Sequence, residues 1–105
     1  MITRMTMDRA DFEANLAAAA GDDGSLRAEL LASFASSLDH QIDLLRRARC
    51  DGNWEVAARR LKSLGVSFHS GQLALLADEA LDAAPGDPVI LRKLGRFTEG
   101  FTAPA

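Results

Sequence analysis

The chain has 105 residues, of which 48% are hydrophobic and 26% charged, and its formal net charge is −3 at pH 7. This length and composition predict one soluble globular domain with its own core, and they argue against a disordered chain. The acidic balance argues against nucleic acid, which favours a basic binding face. No stretch approaches the roughly 20 apolar residues that a membrane-spanning helix needs, so no membrane association is expected.

The single cysteine, Cys50, has no second cysteine with which to form a disulfide, and no neighbours suited to a metal site. Neither a metal nor a cofactor is therefore expected. Residues 1–6 lack the apolar run of a signal peptide, so we expect a cytoplasmic location.

Apolar spacing predicts a first helix from about Asp8 to Ala19 and a long second helix from about Ser25 to Arg49. Residues 21–25, between them, contain Gly, Asp and Ser residues that end one helix and cap the next. In the second helix the apolar residues form one stripe: Leu30, Phe34, Leu38, Ile42 and Leu45. The Cys-Asp-Gly-Asn sequence at 50–53 then predicts a turn.

A third helix is predicted from about Asn53 to Phe68. Its buried stripe consists of Trp54, Ala57, Ala58, Leu61, Leu64, Gly65 and Phe68. A glycine inside a helix costs about 1 kcal/mol relative to alanine. The position of Gly65 on this stripe therefore predicts close approach by another helix.

A fourth helix is predicted from about Gly71 to Ala83, and a fifth begins at Pro88, after Asp87 as N-cap, and continues to about Glu99. Their expected core residues are Leu73, Leu76, Ala77, Ala80 and Leu81, followed by Val89, Leu91, Leu94 and Phe97. Short connections between long amphipathic helices favour antiparallel neighbours. We therefore predict an all-α fold, an antiparallel up-down four-helix bundle with an additional short N-terminal helix.

Residues 57–63 read Ala-Ala-Arg-Arg-Leu-Lys-Ser, and Leu73 begins the leucine-rich part of the next helix. This stretch resembles the phosphorylation-site helix of histidine-containing phosphotransfer (HPt) domains. The family pattern is Ala-His-x-Leu-Lys-Gly, followed by small residues and Gly-Ala-x-x-Leu. Leu61 and Lys62 match the Leu-Lys pair, whereas the phosphate-accepting histidine of the family falls at Arg59.

The resemblance extends over residues 11–81 and implies a partner, the receiver domain of a response regulator or a hybrid sensor kinase. Because guanidinium does not carry a phosphoryl group as imidazole does, Arg59 implies an HPt-like adaptor or decoy that binds receivers without carrying phosphate. In the family, the lysine that matches Lys62 offsets the charge of the phosphohistidine. Two family glycines are replaced here, by Ser63 and His69.

Helical geometry places Arg59 opposite the buried stripe of its helix, on an exposed face that mixes basic, small and apolar groups. Such a mixture suits an acidic pocket with an apolar rim. The adjoining face of the second helix is expected beside it. We therefore predict a partner-binding surface of seven residues: Arg59, Lys62, Ser63, Val66, Glu55, His40 and Asp43.

Three alternatives stay open. Arg59 could make only an i, i+4 pair with Glu55 on a solvated face, worth about 0.3–0.5 kcal/mol. His69 or His40 could accept phosphate, because imidazole carries a phosphoryl group reversibly, although neither is followed by the Leu-Lys pair. The chain could also be a helical interaction or dimerisation module that has no signalling partner.

The sequence contains no Gly-rich phosphate loop after a strand, no Cys-His cluster and no His-Glu-x-x-His helix. We therefore expect a non-catalytic binding protein, monomeric unless the dimerisation alternative holds. Five arginines surround the connection between the second and third helices, at positions 46, 47, 49, 59 and 60. We interpret them as a solvated helix end, since cations complement a C-terminal helix dipole and no aromatic residues alternate with them.

Overall fold

The structure, a computed structural model, describes Ala14, residues 16–18, Ala20, Gly21 and residues 23–102. Ala14, residues 16–18 and Ala20 are helical, and the helices described over their whole length are α1 (Gly24–Arg47), α2 (Asp51–Ser67), α3 (Gly71–Leu81) and α4 (Pro88–Thr102). No strand occurs within these described ranges, and the predicted all-α class is confirmed. None of the described helices combines the length and apolar character that crossing a bilayer requires.

The start of α1 confirms the predicted cap. Asp23 is the N-cap residue, and its Oδ1 accepts a hydrogen bond of 3.0 Å from the Leu26 N–H. This bond satisfies one of the N–H groups that have no partner inside the helix. The helix ends at Arg47, two residues before the predicted Arg49, because Ala48 takes an extended conformation with φ −65° and ψ 128°.

The prediction of a turn over residues 50–53 is wrong for residues 51–53. Residues 51–53 form the first turn of α2, and Cys50 is the N-cap, with φ −133° and ψ 161°. The chain reverses over residues 48–50 instead. Asp51 favours the helix here, since a negative charge in the first turn complements the positive end of the helix dipole.

Side-chain caps also begin the last two helices. The Ser70 hydroxyl accepts a hydrogen bond of 3.3 Å from the Leu73 N–H at the start of α3. Before α4, the Asp87 carboxylate accepts one of 2.8 Å from the Val89 N–H, and Pro88 occupies the first position, where no N–H is needed. Compared with the prediction, α3 ends two residues earlier and α4 continues three residues further.

All four helices contribute to one core. Its largest fully buried apolar side chains are Phe34, Leu38, Leu45, Leu61, Leu73, Ile90 and Leu94. The prediction for Val89 is wrong: it is 49% exposed, whereas its neighbour Ile90 is 1% exposed. Leu16, before α1, also packs into this core. Most of the helix predicted over residues 8–19 lies outside the described residues.

Each of these helices contacts two others: α1 contacts α2 and α4, and α3 contacts α2 and α4. The backbones of α2 and α3 approach each other closely at Gly65. A Cβ on Gly65 would lie 2.8 Å from the Ala74 nitrogen and 3.2 Å from the Ser70 carbonyl oxygen. Because these are backbone atoms, they cannot turn aside as a flexible side chain could. The close approach predicted at Gly65 is confirmed.

Two aromatic side chains connect α2 to its neighbours. Trp54 is 2% exposed, and its Nε1 donates a hydrogen bond of 2.7 Å to the Ala80 carbonyl oxygen near the end of α3. A buried indole N–H needs such an acceptor. Next to the other end of α2, the Phe68 ring lies 4.9 Å from the Phe34 ring of α1, centroid to centroid. These contacts determine which face of α2 is left exposed.

We expect Gly65→Ala to lower the free energy of unfolding by about 1–3 kcal/mol, the usual effect of overpacking a core. Gly52→Ala is the matched control, since Gly52 is exposed in the first turn of α2 and, apart from the adjoining backbone of its own helix, no atom lies within 4 Å of where its Cβ would be. That change should raise stability by up to about 1 kcal/mol. Chemical denaturation measures both, and wild-type stability of Gly65→Ala would contradict the close approach.

Candidate docking site on helix α2

A shallow depression of about 520 Å³ follows the exposed side of α2. Its described lining residues are Arg59, Lys62, Ser63, Val66, Ser67 and Leu81. The first four belong to the predicted partner-binding surface, so the structure brings them together. Val66 is 61% exposed and gives the depression an apolar edge beside its two cations. We call this feature the α2 depression.

Arg59 is paired with Glu55, one helical turn before it. The distance from Arg59 Nη2 to Glu55 Oε2 is 2.9 Å, and the two side chains are 68% and 53% exposed. This is the i, i+4 pair that the sequence offered as an alternative to a functional role. Such an exposed pair contributes about 0.3–0.5 kcal/mol. A partner with a stronger acceptor can therefore take Arg59 from Glu55 with little loss of stability.

Lys62 is directed towards the neighbouring helix α3. Its Nζ lies 2.8 Å from Asp78 Oδ1, and the two side chains are 47% and 48% exposed. The carboxylate of Asp78 pairs with Lys62 as that of Glu55 pairs with Arg59, so each of the two cations has one carboxylate beside it.

The predicted residues of α1 lie apart from the depression. His40 and Asp43 are exposed, but neither belongs to the described residues that line it. Asp43 instead pairs with Arg47 on its own helix, with 2.9 Å between Oδ2 and Nη2. No contact between described residues joins either side chain to Arg59. Their membership of the docking surface stays a prediction.

His69 occupies a backbone position that favours glycine. Its φ is 58°, in the left-handed region. The His69 N–H donates to the Val66 carbonyl at 3.2 Å, and the Ser70 N–H donates to the Gly65 carbonyl at 2.7 Å. These two bonds form the Schellman motif that ends α2. A glycine would adopt this backbone conformation without a Cβ penalty.

Another depression lies between α1 and α4 and is lined by three arginines, Arg46, Arg92 and Arg96. The sequence places Arg46 among the arginines near the α1–α2 connection and predicts no role for Arg92 or Arg96. The i, i+4 spacing of Arg92 and Arg96 predicts that these two side chains lie together on α4. It does not predict that Arg46 approaches them from another helix.

The described part of the chain holds no group of three or more His, Cys, Asp or Glu side chains that could bind a metal ion. Cys50 is exposed and not part of a disulfide. The depressions on the helix surfaces are therefore the features that remain to be interpreted.

Comparisons of the chain with protein-family models, with curated proteins and with solved structures found no match.

We expect His69→Gly to raise the free energy of unfolding by about 1 kcal/mol, because glycine adopts the left-handed conformation without a Cβ penalty. His69→Ala is the matched control, since it removes the same imidazole but keeps the strained backbone. It should give no comparable gain. Thermal and chemical denaturation measure both variants. An equal gain in stability in His69→Gly and His69→Ala would show that loss of the imidazole, and not relief of the backbone, stabilises the protein.

Proposed function

We propose that this protein is an HPt-like component of two-component signalling that binds a receiver domain, of a response regulator or a hybrid sensor kinase, without carrying phosphate. It would act as an adaptor or a decoy. One observation supports this most: Arg59, at the position of the acceptor histidine, is exposed in a depression together with Lys62, Ser63 and Val66. The proposal also rests on the resemblance of residues 57–63 to the HPt pattern.

The proposal includes an antiparallel up-down four-helix bundle with a short N-terminal helix. Connections of three, three and six residues between the successive helices favour it. The contacts between α1 and α2 also support it. Leu44 and Ala57 line one depression near the chain reversal, while Phe34, near the middle of α1, meets Phe68 at the far end of α2.

Charge supports a receiver as the partner. The resemblance implies an acidic pocket around the phospho-accepting aspartate of the receiver. The planar guanidinium of Arg59 can donate two parallel hydrogen bonds to a carboxylate or phosphoryl group. The overall net charge of −3 opposes this only weakly, since charges are screened beyond roughly 8 Å at physiological ionic strength. Groups inside the interface therefore decide the interaction.

Phosphotransfer through a histidine has less support. Neither His40 nor His69 lines the α2 depression, and the left-handed backbone of His69 belongs to the end of α2. A dimerisation module is the remaining alternative, favoured by the 61% exposure of Val66.

The proposal is tested by NMR titration of the isotopically labelled chain with receiver domains from its own organism, each with and without beryllofluoride. Beryllofluoride mimics a phosphoryl group on the aspartate. We expect shifts centred on Arg59, Lys62 and Val66. Shifts of these residues on concentrating the chain alone would favour dimerisation, and no shifts with any receiver would contradict the proposal.

Arg59→Ala should weaken binding to a responding receiver by about 1–3 kcal/mol, because it removes a charge-assisted hydrogen bond donor from an acidic pocket. Arg60→Ala is the matched control: Arg60 is exposed on the same helix but lines the depression between α1 and α2. Isothermal titration calorimetry compares the two. Equal losses would indicate general charge attraction rather than a role for Arg59.

Glu55→Gln should strengthen receiver binding about twofold, because it releases Arg59 from a competing carboxylate worth about 0.3–0.5 kcal/mol. The control is the same change in the Arg59→Ala background, where no arginine remains to be released and no gain is expected. Calorimetry on the four proteins gives the coupling between the two sites. An equal gain in both backgrounds would mean that Glu55 only repels the receiver.

A further inference from the structure

The depression between α1 and α4, which we call the α1–α4 groove, has a volume of about 530 Å³. The lining residues that matter here are Arg46, Leu91, Arg92, Gly95, Arg96 and Glu99. The groove therefore lies on a different pair of helices from the α2 depression, and none of its described lining residues belongs to α2.

Its arginines come from two helices. Arg46 lies in the last turn of α1, and its Nη2 is 3.4 Å from where a Cβ of Gly95 would be. Gly95 thus leaves space for a guanidinium beside the backbone of α4. Arg92 and Arg96 follow one another by one turn of α4, so they lie on the same side of that helix. The groove has arginines on both of its walls.

These arginines are not neutralised within the described part of the chain. The four ion pairs found there all involve other residues. Glu99 is the one acidic residue among the described lining, so three arginines and one glutamate give a formal charge of +2. The nearby Asp87 carboxylate accepts a hydrogen bond from Val89 N–H at the start of α4. A chain of net charge −3 therefore contains a locally basic groove.

We propose that the α1–α4 groove binds a short acidic peptide segment of a partner protein. Carboxylates of the segment would lie on Arg46, Arg92 and Arg96, because guanidinium pairs with carboxylate through two parallel hydrogen bonds. An apolar side chain of the segment would lie on the half-buried Leu91, beside Gly95.

The size and lining of the groove favour a peptide over other anions. The groove is open to solvent, and its volume of about 530 Å³ leaves room for more than a single phosphate. Nucleic-acid sites for single strands depend on aromatic side chains on which bases stack, and the described lining includes none. Leu91 and Pro88 instead offer apolar surface between charged walls.

The test uses the full chain and a fluorescein-labelled peptide of alternating glutamate and leucine, with a glutamine-for-glutamate peptide as the uncharged comparison. Fluorescence anisotropy is measured at low and at physiological ionic strength. We expect saturable binding of the acidic peptide, weakened by salt, and no binding of the glutamine peptide. Equal binding of both peptides would overturn the proposal.

The variant Arg92→Gln with Arg96→Gln should weaken acidic-peptide binding about tenfold or more. The matched control is Arg27→Gln with Arg60→Gln, which makes the same change in net charge at two exposed arginines outside the groove. It should change binding less than twofold. Equal losses in both variants would overturn the proposal, and circular dichroism confirms that each variant is folded.

Binding of a labelled single-stranded DNA with the same net charge as the acidic peptide tests nucleic acid as the alternative partner. Tighter binding of this DNA than of the acidic peptide, lost in the Arg92 and Arg96 variant, would assign the groove to nucleic acid and overturn the proposal. The peptide result does not depend on the receiver proposal, since Arg59→Ala should leave peptide binding unchanged.

Discussion

The contact of α2 with α3 at Gly65 is the constraint on which the rest of the arrangement depends. The backbone of α2 there lies against Ser70 and Ala74 with no room for a side chain. Only one rotation of α2 about its axis brings Gly65 into this contact. The same rotation buries Ala58 and Leu61 in the core and turns Arg59 outward. The exposure of Arg59 is therefore a consequence of helix packing.

Interactions of unequal strength hold α2 in this rotation. Trp54 is almost fully buried and donates its indole N–H to Ala80, and burial of such a large side chain is worth several kcal/mol. The pair of Lys62 with Asp78 is about half exposed and is worth at most about 1 kcal/mol. The apolar and backbone contacts thus fix α2, while Lys62 can leave Asp78 without loosening the two helices.

Apolar periodicity predicted the four helices and most of the core, because burial of one helix stripe depends on spacing along a single element. Their boundaries were harder to predict. The Asp-Gly-Asn sequence at 51–53 suits a turn, but Asp also suits the first turn of a helix, and local chemistry does not decide between them. Similarly, Val89 and Ile90 are adjacent apolar residues, and only packing against neighbouring helices determines which is buried.

The α2 depression and the α1–α4 groove differ in the same way: one follows from spacing along a single helix, and the other from packing between helices. Arg59, Lys62, Ser63 and Val66 share one helix, so helical geometry alone predicted that they lie together. The partner of Lys62, by contrast, lies on α3 and depends on tertiary structure. The α1–α4 groove brings Arg46 beside Arg96 from a distant part of the sequence, and no single-helix argument could find it.

If the chain binds receiver domains as proposed, an arginine in place of a histidine changes what the binding face could do. Imidazole passes between neutral, protonated and phosphorylated forms, whereas a guanidinium stays positively charged throughout the physiological range. In the proposed complex, the receiver aspartate would therefore be the group whose charge varies. A phosphorylated aspartate in the proposed complex would add negative charge opposite Arg59, and exclusion of water there would strengthen the attraction. Such a binder would respond to the phosphorylation state of its partner without changing it.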